Sequence, residues 1–532
     1  MSNTSSSMSG AFVKKRLIVC CDGTWMNSDN GYVEPSLSNP QATLQVPSNV
    51  TRICRCFKRR CSDGTLQIMS YESGVGTGSN AIDTITGGAF GLGLSERVRE
   101  AYSYICSNYM DGDEIFLVGF SRGAFTARSV AGMVADLGLL TREGVEYFYP
   151  IFKDMQNWMK KDYQDPFPDK PFPNKPKGPN AAAEYRAKLE KLGYTRITQS
   201  SGELIKIKAV CVWDTITYKW HDTALSDRIE HAFQALALDE TRAPFSPAVW
   251  ERPPDNKLTT DLRQVWFPGN HANCGGGWED QAVANSTLAW MMDQMASVGV
   301  EFDLYALERV VQQSVSYFET SAVQTKGNKS PWAIDPIYSN NHPVRPWALG
   351  QIKKAPGFLY TISGHVNRTP GLYKQTDPKT ELDKNKFLQD TNERIHCSAR
   401  IRLACDGLGL DDKGVWTCPS LESWHLKFTN QKFEDPIPQN PTWWPGTTDE
   451  PAIDVGNGSN KGRWIWEYDG DKKSAPTDLK QRVMVEEPLG PYERHVLRMS
   501  AGTPNVFDFA NDRDIVWQGK IVSSLKQTNG DS

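Results

Sequence analysis

The segment Ile115-Phe116-Leu117-Val118-Gly119-Phe120-Ser121-Arg122-Gly123 constrains this chain more than any other. Ile115 to Val118 is uninterrupted apolar sequence, the mark of a central strand covered on both faces. Ala124, Ala127 and Ala131 then recur at helical spacing, a small-residue stripe suited to close approach to a sheet, and Gly138 offers a stop. Between the two lies Gly119-Phe120-Ser121-Arg122-Gly123, which fits G-x-S-x-G, the strand-to-helix turn that lifts a serine hydroxyl above a sheet edge. The flanking glycines permit so sharp a turn. The backbone N–H of Arg122, at the helix start, would face an oxyanion forming beside Ser121. The competing reading is a tight structural turn with no chemistry.

A serine hydroxyl becomes an effective nucleophile when a histidine takes its proton and a carboxylate orients that histidine. In sheets with this turn the chain order is Ser, then Asp or Glu, then His. Asp214 ends the apolar run Ala209 to Trp213, so its carboxylate would leave the same sheet edge. His271 follows Val265-Trp266-Phe267-Pro268-Gly269-Asn270 and precedes Gly275-Gly276-Gly277, placing it on a glycine-rich loop after a strand. Helix capping by Asp214 and loop bracing by His271 are the bland alternatives. His231 is the rival base, within Arg228 to Leu238, a stretch that reads as helical. Gly23 and Thr24, after Cys21-Asp22, are placed to supply the second oxyanion donor. Phe120, Trp213 and Tyr218 are expected beside the substrate, with Phe125 and Trp220 near them.

Two other motifs are weighed and set aside. Strand–Asp22-Gly23-Thr24 resembles the D-x-D-G-T loop of haloacid-dehalogenase-type phosphatases, but Cys20 stands where their nucleophilic aspartate would be. Gly74 to Gly78 is glycine-rich, yet it lacks the lysine and the spacing of either nucleotide-binding loop, so a cleft rim or plain turn is expected.

Strand and helix patterns alternate through the first half. Leu17 to Cys21 and Leu66 to Tyr71 read as strands, and Val50 to Phe57 and Ser95 to Asn108 as helices. Lys206 to Trp213 resumes the sheet, Val265 to Phe267 looks like its last main strand, and Glu279 to Met295 is helical. The expected class is α/β: an α/β-hydrolase-like, doubly wound, mostly parallel sheet with insertions and a C-terminal irregular or β-rich appendage. The expected division is a flexible arm over 1–15, the hydrolase domain over 16–320 and a Trp/Pro-rich appendage over 321–532. The domain carries a proline-rich insertion at 163–180.

Composition narrows the classes. Of 532 residues, 39% are hydrophobic and 23% charged, as in a folded globular protein, and the formal charge of -4 gives nucleic acid no foothold. No run approaches the length of a membrane-spanning helix, and the Ser-rich start lacks an apolar signal core. The eleven cysteines include no C-x-x-C pair. Several lie in apolar runs, which points to buried thiols in a reducing, cytoplasmic setting. Cys54, Cys56 and Cys61 lack a nearby histidine, so no metal site and no cofactor are expected.

Six blocks in order resemble the DUF2235 family, which includes the Tle1-type phospholipase effectors of bacterial type VI secretion. They are CCDGTW (Cys20 to Trp25), YESGVGTG (Tyr71 to Gly78), GFSRGAFTAR (Gly119 to Arg128), VWDTI (Val212 to Ile216), ALALDETRAPFSPAVW (Ala235 to Trp250) and WFPGNHANCGGGW (Trp266 to Trp278). The resemblance covers roughly residues 15 to 300. It implies an α/β-hydrolase fold, esterase chemistry on lipids, and a triad on Ser121, Asp214 and His271. Two departures would reshape the pocket: Tyr218, Lys219 and Trp220 where the family carries small residues, and Asn273 where it carries Asp. The tail after Thr320 is similar to fungal members, so a secreted-toxin role is not implied.

The expectation is therefore a serine carboxylic-ester hydrolase acting on lipid, phospholipase A-like, with at most transient membrane-surface contact. A soluble small-ester or thioester hydrolase is the second reading. A catalytically silent hydrolase fold that binds partners through its Trp-rich tail is the third.

Overall fold

The computed structural model describes residues 13–23, 32–33, 35, 41–74, 90–160, 162–216, 223–256, 259–320, 345, 347–353, 364–376, 383–429, 463–471, 483–500, 506 and 510. Among them, one ten-stranded sheet organises the molecule. In chain order its strands are β1 (Lys15–Cys21), β2 (Leu66–Glu72), β3 (Glu114–Phe120), β4 (Ile207–Trp213), β5 (Ile229–Ala237) and β6 (Asp261–Phe267). They continue with β7 (Glu393–His396), β8 (Trp424–Thr429), β9 (Arg463–Tyr468) and β10 (Val483–Glu487). The spatial order is β8-β9-β10-β7-β6-β5-β4-β3-β1-β2. Every neighbour from β2 to β10 is parallel, and β9 and β8 close that edge antiparallel.

Strand periodicity explains the layers. Leu17, Val19 and Cys21 of β1 point to one face, with Ile115 and Leu117 of β3. That face is covered by α2 (Phe90–Asn108) through Val98, Ala101, Tyr102 and Ile105, and by α3 (Arg122–Leu137) through Ala124, Ala127, Ala131 and Val134. Ile18, Cys20, Phe116 and Val118 point the other way. There they meet Val50 and Ile53 of α1 (Asn49–Cys54) and Leu288, Met291, Met292 and Met295 of the helix Ala282–Ser297. Both faces are buried, hence the continuous apolar runs in the sequence. The proline-rich stretch carries neither helix nor sheet strand. It is tied down by Lys175, whose ammonium bridges Asp154 (2.8 Å) and Asp165 (2.7 Å).

Three expectations need correction. Arg228 to Leu238, read as helical, contains β5; its alanines favour a helix, but the segment is enclosed by strands on both sides, and burial in a sheet overrides propensity. Val265 to Phe267 belongs to β6, which is not the last main strand, because β7, β10, β9 and β8 extend the same sheet. Lys15, assigned to the arm, begins β1. Trp443 and Trp444 of the tail, and Val75 to Gly78 of the glycine-rich run, lie outside the described residues.

Candidate active site

Parallel strands all present their C-terminal ends at one edge, and three of the sequence-selected residues leave the sheet there. Ser121 links β3 to α3 with φ 57° and ψ −119°, a left-handed conformation costly for a residue with a Cβ. Its N–H donates to the Trp213 carbonyl at the end of β4 (3.1 Å), and its own carbonyl accepts from Phe125 N–H (3.1 Å). Neighbouring backbone enforces the turn. A Cβ on Gly123 would be driven into the Cys21 carbonyl and would lie 2.5 Å from the Asp22 carbonyl oxygen. A Cβ on Gly119 would sit 2.7 Å from Ala124 Cα.

Asp214 follows β4 directly, again with positive φ, 37°. Its N–H donates to the Ala235 carbonyl at 2.7 Å, which anchors the residue to the adjacent strand. The carboxylate is fully buried. Oδ1 accepts from Ala237 N–H (3.1 Å), while Oδ2 accepts from both His271 Nδ1 (2.6 Å) and Arg368 Nη2 (3.1 Å). Burial pushes this carboxyl upward, but the Arg368 guanidinium and the hydrogen bond from His271 outweigh it and hold the group below the usual aspartate value. Asp214 is therefore a carboxylate, and His271 carries its proton on Nδ1.

His271 opens a short helix, α4 (His271–Gly275), instead of riding on an open loop. Asn270 caps that helix: its side chain accepts from Ala272 and Asn273 N–H, and Asn273 Oδ1 accepts from Asn270 N–H (3.2 Å). Asn273, the departure from the family's Asp, thus closes a capping box. The imidazole is wedged between Phe120 (ring centroids 4.7 Å) and Phe245 (4.9 Å, edge-on). Gly275 allows this, since a Cβ there would collide with the Phe120 ring. The His271 N–H donates to Glu240 Oε2 (3.2 Å), and Glu240 is held by Arg242 (2.7 Å). His271 Nε2 has no hydrogen-bond partner among the described residues. Ser121 and His271 are 6% and 5% exposed, so approach to them is narrow.

The other expected residues are placed as follows. Arg122 is the first residue of α3, where its N–H belongs to the helix start. Gly23 N–H donates to Asp22 Oδ1 (2.6 Å); Thr24 and Tyr218 lie outside the described residues. Phe120 is buried beneath His271, and Trp213 is fully buried with Nε1 donating to the Thr287 carbonyl (3.2 Å); both side chains are core beneath the site. Asp22 itself is buried and accepts from Ser48 (2.6 Å), Thr51 (2.8 Å) and Tyr71 (2.6 Å), the environment of a structural anchor. His231 lies near the start of β5 and bonds Asp261 (3.2 Å). It pairs in register with Ala209, five residues before Asp214, or about 16 Å from the C-terminal sheet edge at strand spacing.

Arg368 and Glu240 also belong to the site. Glu240 stands in the ALALDETRAPF block, so its position could have been read; Arg368 had no motif to mark it. No group of three or more His, Cys, Asp or Glu among the described residues is arranged to hold a metal ion. No described helix is long and apolar enough to cross a membrane.

Residues 15–294 match the family model for the catalytic domain of Tle1-like type VI secretion phospholipase effectors. Over 244 residues the chain is 25% identical to the uncharacterized protein YEL023C of Saccharomyces cerevisiae, covering 43% of this chain and 32% of that protein. Two solved structures are similar at low identity. The Tle1 effector bound to the VgrG spike from the type 6 secretion system is 17% identical with TM-score 0.26, covering 50% of this chain and 51% of that one. An uncharacterized protein from Pseudomonas aeruginosa is 16% identical with TM-score 0.31, covering 58% and 51%. The matches span about a third of the yeast protein and about half of each solved chain.

Proposed function

This chain belongs to the family of Tle1-like phospholipase-effector catalytic domains, and from that premise we propose that it is a serine hydrolase of lipid carboxylic esters. Ser121 Oγ attacks the ester carbonyl while His271 Nε2 takes its proton; Asp214 holds the ring and stabilises the imidazolium. The proton passes to the departing alcohol, leaving an acyl group on Ser121. Water, deprotonated by the same Nε2, then releases the fatty acid and restores the serine. Arg122 N–H is the first donor to the oxyanion. The Gly23–Thr24 loop is the second, and Gly23 N–H would have to leave Asp22 to serve. Substrate is expected to reach the site from a lipid surface by peripheral contact.

The observation that carries the reading is the pairing of a left-handed Ser121 at a strand end with a His271–Asp214 hydrogen bond of 2.6 Å at the same edge. The test is product analysis by mass spectrometry after incubation with mixed phospholipid vesicles and EDTA, with Ser121→Ala as control. Lysophospholipid and fatty acid from the wild type alone support the reading. The narrow access to Ser121 and His271 favours short acyl groups as a second reading. Turnover of butyrate esters without release from any phospholipid would select it. No turnover and no fluorophosphonate labelling at Ser121 would leave a silent hydrolase fold.

A further inference from the structure

One oxygen of Asp214, Oδ2, accepts from two donors: His271 from α4 and Arg368 from a segment far along the chain. Arg368 lies beyond residues 15–294, the span that the catalytic family model covers. Its segment is nonetheless built into the site. Gly364 O accepts from Ala243 N–H (3.2 Å) and Val366 N–H donates to the Thr241 carbonyl (2.9 Å), so residues 364–366 lie beside the chain that carries Glu240 and Phe245. Arg368 Nε reaches the Glu240 carbonyl (3.2 Å). Beyond it, Tyr373 OH accepts from Thr369 N–H (3.2 Å), and the Tyr373 ring stacks on Trp266 of β6 (centroids 6.1 Å, 9° between planes). Gly371 N–H donates to Glu393 Oε1 (2.8 Å), which also accepts from Trp266 Nε1 (3.0 Å). The turn holding Arg368 is thus fastened to two strands of the sheet.

We propose that Arg368 is a positioning residue of the catalytic centre: its buried guanidinium keeps Asp214 ionised and fixes the carboxylate oxygen that orients His271. The proposal rests on the triad reading above. A carboxylate with no exposure beside an imidazole has two ways to shed its charge, taking a proton from water or from the histidine, and either removes the base's orientation. A fixed cation at 3.1 Å opposes both. Among the described residues, β5 brings Ala237 N–H to Asp214, α4 brings His271 and Cys274, Glu240 holds the His271 backbone, and Arg368 is the permanent cation bonded to the carboxylate. Burial is the strongest influence on Asp214 and pushes it up; Arg368 is the strongest counterweight. Without Arg368 the carboxyl must rise, and activity that needs the ionised form is lost at its acid end first.

The test is the pH dependence of fluorophosphonate labelling and of p-nitrophenyl ester turnover by the full chain, wild type against Arg368→Met and Arg368→Lys. The Met variant is expected to move the acid limb of kcat/KM upward by about one pH unit, which is about tenfold at a pH on that limb, and to recover most of the loss toward pH 9. The Lys variant keeps the charge and should keep the wild-type limb, with a lower plateau from looser geometry. Should the Met variant fail to fold by near-UV circular dichroism, Arg368→Gln replaces it with the same expected shift. An unmoved limb in the folded neutral variant, or an equal shift in the Lys variant, overturns the role. A wild type left unlabelled at Ser121 strikes the triad reading itself, a separate outcome from a labelled wild type whose variants are indifferent.

Discussion

Two histidines competed for the role of base, and their surroundings separate them. His271 shares a buried carboxylate with an arginine, and its Nε2 has no partner among the described residues; His231 sits at the far end of its strand beside Asp261 and Arg263. His271→Ala is expected to lower kcat by several orders of magnitude while KM changes little, because the base serves both acylation and deacylation. His231→Ala removes one partly exposed hydrogen bond. It should cost about 1 kcal/mol of stability and leave turnover near wild type. Steady-state kinetics beside thermal melts decide the matter, and a reversed pattern would redraw the triad through His231. Ser121, Asp214 and His271 were legible because each follows an apolar run that ends abruptly. Arg368 was not: a lone arginine before Thr-Pro-Gly carries no periodicity, and only packing shows what it touches.

At the level of elements, the strand–turn–helix around Ser121 depends on backbones too close for a side chain. Gly123 and Gly132 lie on the same helix but meet different surroundings. A Cβ on Gly123 runs into the Cys21 and Asp22 carbonyls at the end of β1, whereas one on Gly132 meets nothing within 4 Å. Gly123→Ala should therefore abolish fluorophosphonate labelling and destabilise by about 1–3 kcal/mol, since the helix must pull away from the sheet. Gly132→Ala should leave labelling intact and raise stability by about 0.5–1 kcal/mol through lower unfolded-state entropy. Equal behaviour of the two variants in labelling and urea melts would remove the steric account of the turn. The helix stripes were readable for the same reason: Val98, Ala101, Tyr102 and Ile105 have one face to bury. β5 was misread because a strand buried on both faces shows no alternation, and its alanines then speak for a helix.

Across the whole molecule, the chain beyond residue 320 shares its sheet with the chain before it. The helix Cys397–Ala404 sends Arg400 to Glu486 of β10 through two bonds, 2.8 and 3.0 Å, with both side chains wholly buried. The Arg400 guanidinium also lies over Trp464 of β9, 4.9 Å from its ring centre. Arg400→Met is expected to cost about 3–5 kcal/mol, because it strands a buried carboxylate. Arg400→Met with Glu486→Leu should recover most of that loss. Denaturant melts would show it, and a double variant as unstable as the single would mean that packing on Trp464, not charge, is what Arg400 supplies. If the sheet is one cooperative unit, the single variant should also release Arg368's segment and slow labelling of Ser121.

The sequence by itself determined the α/β class, the order of the first six strands with one exception in reading, and which three candidate residues stand at the C-terminal sheet edge. These depend on local signals: apolar runs set by burial on two faces, helical stripes, and glycines where a turn forbids a Cβ. Only the tertiary structure decided that the strands after residue 390 join the same sheet. It also decided that His271 opens a helix capped by Asn270 and that an arginine 154 positions after Asp214 donates to its carboxylate. Those facts rest on contacts between segments distant in the chain, where geometry is set by how whole layers pack and not by the residues on either side.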